Sequence, residues 1–196
     1  MKKFMRPFLF ALIALGSADA EVPTALPDDP ACTAEDRKFM RRALELARDS
    51  VAHDWRPFSG VLVKDGEIIA EYQNQEAVTN DVTQHAETGL IAKFSPKIDR
   101  ATFAQCTLYA SSEPCTMCSG AIRFAGIGRV VYGVTEAQFV RVIGFPPEEH
   151  VLTCREILAR TAPSVKVLGP LYEAEGLAVH AAYWPKHPLV PPPKTP

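Results

Sequence analysis

Two short runs of β-prone residues, Gly60-Val-Leu-Val-Lys64 and Glu67-Ile-Ile-Ala-Glu-Tyr72, flank the pair Asp65-Gly66. Asp-Gly suits a two-residue turn because both central positions need a positive φ, which these two residues tolerate. The two runs are thereby committed to an antiparallel hairpin, and any larger sheet has to be built outward from it. Further strands are expected at Thr107-Leu-Tyr-Ala-Ser111, Arg129-Val-Val-Tyr-Gly133 and Val165-Lys-Val-Leu168. Helical spacing of Phe39, Met40, Ala43, Leu44, Ala47 and Val51 predicts a helix that starts at a Thr33/Asp36 capping box and ends near His53. Other helices are expected at 85–94, from Pro114 to the stop at Gly126, near 153–160 and near 173–183, with a polar loop at 73–84. After the first helix the order is β-β-α-β-α-β-α-β-α, an α/β pattern that calls for a mixed sheet layered between helices.

The ends of the chain follow a different logic. Lys2, Lys3 and Arg6 precede the apolar run from Phe8 to Leu15, and Ala18-Asp-Ala20 supplies an A-x-A site. This is the pattern of a secretory signal peptide cleaved after Ala20, too short for the ~20 apolar residues of a membrane span. The expected organisation is a signal peptide at 1–20, an extended lead-in at 21–33, one domain at 34–184 and a proline-rich tail at 185–196. It implies a periplasmic or secreted protein without a stable membrane anchor. A formal net charge of −2, with no lysine or arginine block in the mature part, argues against a large nucleic-acid partner and in favour of a small substrate.

Export would put five cysteines in an oxidising compartment, but they are neither even in number nor regularly spaced. Cys106 sits in an apolar strand context and is expected to be core. A Cys32 to Cys154 bridge stays open. Cys115 and Cys118 form a C-x-x-C pair at an expected helix start, where both sulfurs project to one side and the helix N-terminus favours thiolates. Alone, such a pair fits structural zinc or redox chemistry equally well. His85 with Glu87 upstream completes the H-x-E and P-C-x-x-C combination of zinc deaminases. Three protein ligands leave one tetrahedral corner for water, whereas structural zinc sites close with a fourth Cys or His.

With these motifs the chain resembles the cytidine/deoxycytidylate deaminase superfamily, and within it the branch of guanine deaminases, tRNA adenosine deaminases and fungal-type cytosine deaminases. The stretches that carry the resemblance are Pro57-Phe58-Ser59-Gly60 with Lys64-Asp65-Gly66, then Asn74 and Thr79-Asn80-Asp81 before His85-Ala86-Glu87, and Leu108-Tyr109 through Glu113-Pro114-Cys115 to Cys118-Ser119-Gly120-Ala121-Ile122. The resemblance implies a three-layer α/β/α fold with a mixed five-stranded sheet that starts with the hairpin. It implies one Zn2+ per chain on His85, Cys115 and Cys118, and Glu87 as the proton carrier. Asn74 and the backbone at Ala86 become substrate contacts. Phe58 and Phe124 are candidates either for stacking on a base or for plain core.

The implied reaction is hydrolytic deamination of a nucleobase or nucleoside, C–NH2 going to C=O with release of ammonia. Relatives are commonly dimeric, so a homodimer is expected. Thr79-Asn80-Asp81 and Ile143-Gly144-Phe145 look most like guanine deaminases, but Pro146 and Pro147 stand where that branch has acidic residues, leaving Glu148 or Glu149 as replacements. Two rival readings make different demands: a catalytically inactive, zinc-stabilised binding module, and a thiol redox protein with Cys115 and Cys118 joined.

Overall fold

The computed structural model describes residues 22–145 and 152–189. The segment expected to be a signal peptide, Pro146 to Glu149 and most of the proline-rich tail lie outside the described residues. Helix α1 (Ala34–Ala52) opens on the Thr33/Asp36 capping box expected from the sequence. Strands β1 (Ser59–Lys64) and β2 (Glu67–Gln73) pair antiparallel, with Asp65 and Gly66 both at positive φ in the turn between them. Strands β3 (Thr107–Ser112), β4 (Arg129–Val134) and β5 (Lys166–Leu168) complete a five-stranded sheet in the order β2-β1-β3-β4-β5. β1 runs antiparallel to β3, whereas β3, β4 and β5 are mutually parallel, so the sheet is mixed and begins with the hairpin.

Alternation along the strands divides the core in two. Val61, Val63, Tyr109, Val131 and Leu168 face α1, meeting Phe39, Met40, Ala43 and Leu44. Leu62, Leu108, Ala110, Val130 and Val167 face the other way, towards Leu90, Ile122 and Leu158. Those three residues belong to α3 (Ala86–Phe94), α5 (Thr116–Ala125) and α7 (Cys154–Ala159). Helix α8 (Glu173–Tyr183) packs beside α1 and completes the three layers.

Three short helices were not expected: α2 (Glu76–Thr79) inside the polar loop, α4 (Arg100–Phe103), and α6 (Glu136–Val142) after β4. Cys32 and Cys154 are both free and lie in the two opposite core layers, so no bridge joins them. Cys106 is core, as expected. No helix among the described residues is long and apolar enough to cross a membrane.

On the α1 face, a buried polar cluster ties three elements together. Asp36 is 1% exposed and accepts from Arg129 Nη1 and Nη2 at 2.6 and 2.8 Å, from the Tyr109 hydroxyl at 2.8 Å, and from the Thr33 N–H at 2.8 Å. Burial pushes its carboxyl up, but these donors prevail and hold it well below the usual aspartate value.

Candidate active site

The site forms where two helix N-termini converge beyond the ends of the parallel strands. His85 is the N-cap of α3 and Cys115 the N-cap of α5; both backbones are extended there before turning into helix. Cys118 follows in the first turn of α5 and is fully buried. The loop that delivers His85 is fastened by its own polar groups. Asn80 adopts a left-handed conformation that ends α2, and Asp81 accepts from the Thr83 N–H and hydroxyl at 2.9 and 2.7 Å. Helix α3 sits so close to β2 that a Cβ at Gly89 would come within 2.2 Å of the Tyr72 ring, which makes glycine a packing requirement.

His85 Nδ1 lies 3.6 Å from Cys115 Sγ and 3.7 Å from Cys118 Sγ, and the three ligand atoms fall within 4.8 Å of one another. A tetrahedral zinc with Zn–S of about 2.3 Å and Zn–N of about 2.0–2.1 Å requires S···N of about 3.6 Å, so this donor set fits the ion. Cys115 and Cys118 are both free, and each sulfur approaches His85 Nδ1. Among the described residues no fourth His, Cys, Asp or Glu joins the group, so the donors leave a coordination corner open.

With protein groups alone, the Cys118 thiol donates to Cys115 and holds its sulfur down to about 4, with help from His85 and against burial. Cys118 is pushed up in turn by that shared proton and by burial. The Cys115 contact raises His85. Glu87, 7% exposed in the first turn of α3, has its Oε2 3.2 Å from Cys118 Sγ. Burial is the main reason its carboxyl is pushed up to about 7, reinforced by the Cys115 sulfur.

The remaining sequence candidates separate. Ala86 is fully buried and is the first residue of α3, so its N–H is one that the helix leaves without an intrahelical acceptor. Asn74 is buried; its N–H donates to the Phe58 carbonyl at 2.9 Å and its side-chain oxygen accepts from the Glu76 N–H at 3.0 Å. The Phe58 ring is half-buried in an aromatic group with Phe139, His180 and Trp184. Phe124 is not brought to the cluster. It is 73% exposed and lines a surface cavity of about 460 Å³ with Arg100, Arg123 and Pro163, a cavity that shares no residue with the His85 group.

Residues 33–134 match the family described as Cytidine and deoxycytidylate deaminase zinc-binding region. The chain belongs to the cytidine and deoxycytidylate deaminase family. Among its relatives, a probable cytosine deaminase of Schizosaccharomyces pombe is 31% identical over 156 residues, 76% of this chain and 93% of that one. A guanine deaminase of Bacillus subtilis is 45% identical over 125 residues, 58% of this chain and 80% of that one. Among solved structures, a mutant of NE0047 in complex with 8-azaguanine superposes with a TM-score of 0.65 at 26% identity, covering 77% of this chain and 84% of that one. The expected family and fold are therefore borne out.

Sequence reasoning assigned no role to Glu76, Glu113 or His180. Glu113 is buried and accepts from two helix-start N–H groups, Glu136 at 3.1 Å and Cys154 at 3.0 Å. Its only signal was its place beside Pro114-Cys115. His180 is buried and neutral, its basicity lowered to about 3 by burial. Its Nδ1 accepts from the Trp184 indole at 3.1 Å, leaving Nε2–H to donate to Ser112 Oγ at 2.8 Å. It therefore braces the aromatic group behind Phe58.

Proposed function

We propose that this protein is a zinc-dependent hydrolytic deaminase of amino-substituted nucleobases or nucleosides. The observation that carries the reading is the His85, Cys115, Cys118 triangle at zinc-tetrahedral spacing, with the buried acid Glu87 beside it. Zinc held by these three residues would supply Lewis acidity, lowering the pKa of water to about 7.

The protein groups then divide the work. Glu87, buried beside the triangle, takes a proton from the attacking water. It passes that proton to the ring nitrogen, then carries the remaining proton of the added hydroxyl to the exocyclic amine, which leaves as ammonia as C–NH2 becomes C=O. The Ala86 N–H and the Asn74 side chain hold the polar edge of the base, and Phe58 offers a ring face for stacking. Phe124, exposed and lining a different cavity, has no part in this arrangement.

Relatives include guanine, cytosine and tRNA-specific adenosine deaminases, and the slightly negative charge balance favours a free base over a folded RNA. The inactive binding module is disfavoured because Glu87 is retained and buried at the metal triangle. The exposed apolar side chains of Val78, Val82 and Met117 flank the cluster in sequence, and a second copy of the chain covering them is part of the proposal. Export from the cytoplasm through residues 1–20 is also part of it.

The test is ammonia release from guanine, cytosine, adenine and their nucleosides, with metal analysis of the purified protein and a chelator-stripped control. Activity in the stripped sample equal to that of the zinc-loaded one, or no release from any substrate, defeats the reading. Light scattering tests the dimer, and N-terminal sequencing of exported protein tests cleavage after Ala20.

A further inference from the structure

On the side of His85 turned away from the sulfurs, its Nε2 faces a carboxylate: Glu76 Oε2 is 3.6 Å away. Among the described residues no other carboxylate lies within 4.0 Å of a His85 ring nitrogen. We propose that Glu76, held in place by Arg56, is the positioning residue that orients His85 for its metal. This rests on the zinc reading above and adds a residue that neither the H-x-E nor the P-C-x-x-C motif contains.

An imidazole that gives its Nδ1 lone pair to a cation carries its proton on Nε2, and that proton needs an acceptor to fix the tautomer and the ring plane. Glu76 meets this need because its own position is constrained twice. Arg56 Nη1 donates to the same oxygen, Oε2, at 2.6 Å, and the Glu76 N–H is capped by the Asn74 side chain at 3.0 Å. The carboxylate side chain is only 15% exposed, so it has little room to wander. At 3.6 Å the contact is within ion-pair reach and longer than a direct hydrogen bond, a gap that a small side-chain rotation or one water closes.

The arrangement has a second consequence. Arg56 adjoins Pro57-Phe58, and Asn74 lies two residues before Glu76. One ion pair therefore couples the ring proposed to stack on the base, the amide proposed to grip its edge, and the histidine proposed to hold the metal. If the pair served only to clip two loops together, its loss would lower stability and leave metal affinity alone. The ion pair of Arg42 with Glu71 between α1 and β2, remote from the cluster in sequence and on a different element pair, supplies that control.

The experiment measures zinc dissociation constants by competition with a chromogenic chelator, for wild type, E76A, E76Q, R56M, R56M/E76Q and R42M. The cobalt(II) absorption spectrum serves as a second readout and thermal melting as a check on folding. E76A is expected to weaken zinc binding about 10–100-fold, with E76Q intermediate. R56M should weaken it less and add little in the E76Q background, because it acts through Glu76. R42M should change melting only. Should E76A fail to fold, the near-isosteric E76Q carries the decision. Wild-type affinity and an unshifted cobalt spectrum in folded E76Q overturn this inference alone. A wild-type protein that takes up no zinc overturns the metal reading and this inference with it.

Discussion

Asp36 and Glu87 are both acids buried in the first turn of a helix, on opposite faces of the same sheet, and their surroundings drive them in opposite directions. Asp36 is met by a guanidinium, a phenol and a backbone N–H, so it stays ionised and serves as a fixed joint between α1, β3 and β4. Glu87 has two cysteine sulfurs and one histidine nearby, and a carboxyl pushed up to about 7. An acid whose hydrogen bonds are saturated by its own protein is a fastening. An acid left near the midpoint of its titration is able to pass a proton.

The largest test of this contrast is E87Q. It should lower ammonia release by about 10²–10⁴-fold while leaving zinc content and circular dichroism unchanged. Full turnover in E87Q would break the distinction outright. D36N should do the reverse, because it strands Arg129, whose side chain is only 22% exposed, without its partner. A loss of about 3 kcal/mol in urea unfolding is expected, with turnover per folded molecule unchanged. The distinction fails if D36N is as stable as wild type.

The same contrast predicts opposite responses to pH. Asp36 is depressed on folding, so the stability it adds over D36N is present above about 3.8 and is lost as pH falls below it. Glu87 is raised, so chelator-treated wild type should lose stability relative to E87Q as pH climbs from about 4.5 to about 7, and hold level above that. Denaturation at a series of pH values measures both differences; slopes of equal sign would contradict them. The smallest effect separates the two phenylalanines. F58A should lower kcat/KM about 3–10-fold through lost stacking, whereas F124A should leave it within about twofold.

Much of this was legible in the residues. Asp65-Gly66 announced the hairpin, the Thr33/Asp36 box announced α1, and the spacing of His85, Glu87, Cys115 and Cys118 announced the cluster. The helices that escaped notice, Glu76–Thr79, Arg100–Phe103 and Glu136–Val142, have four to seven residues, too few turns for an apolar period to emerge. Phe124 was grouped with Phe58 because both are large aromatic residues near motifs. Only the sheet and the direction of α5 reveal that one ring joins His180 and Trp184 while the other faces a separate cavity. Glu76, Arg56 and Glu113 act by side-chain reach between elements, which local spacing does not encode.

Glu113 receives the starts of both α6 and α7 on a single carboxylate, two positions before Cys115. The stretch joining those helices is thus pinned at each end to the very strand terminus that presents the sulfurs. Among the described residues between the pins, Phe139 meets Phe58 and His180, and Val140 is fully buried, so α6 is tied to the core as well as to the strand end.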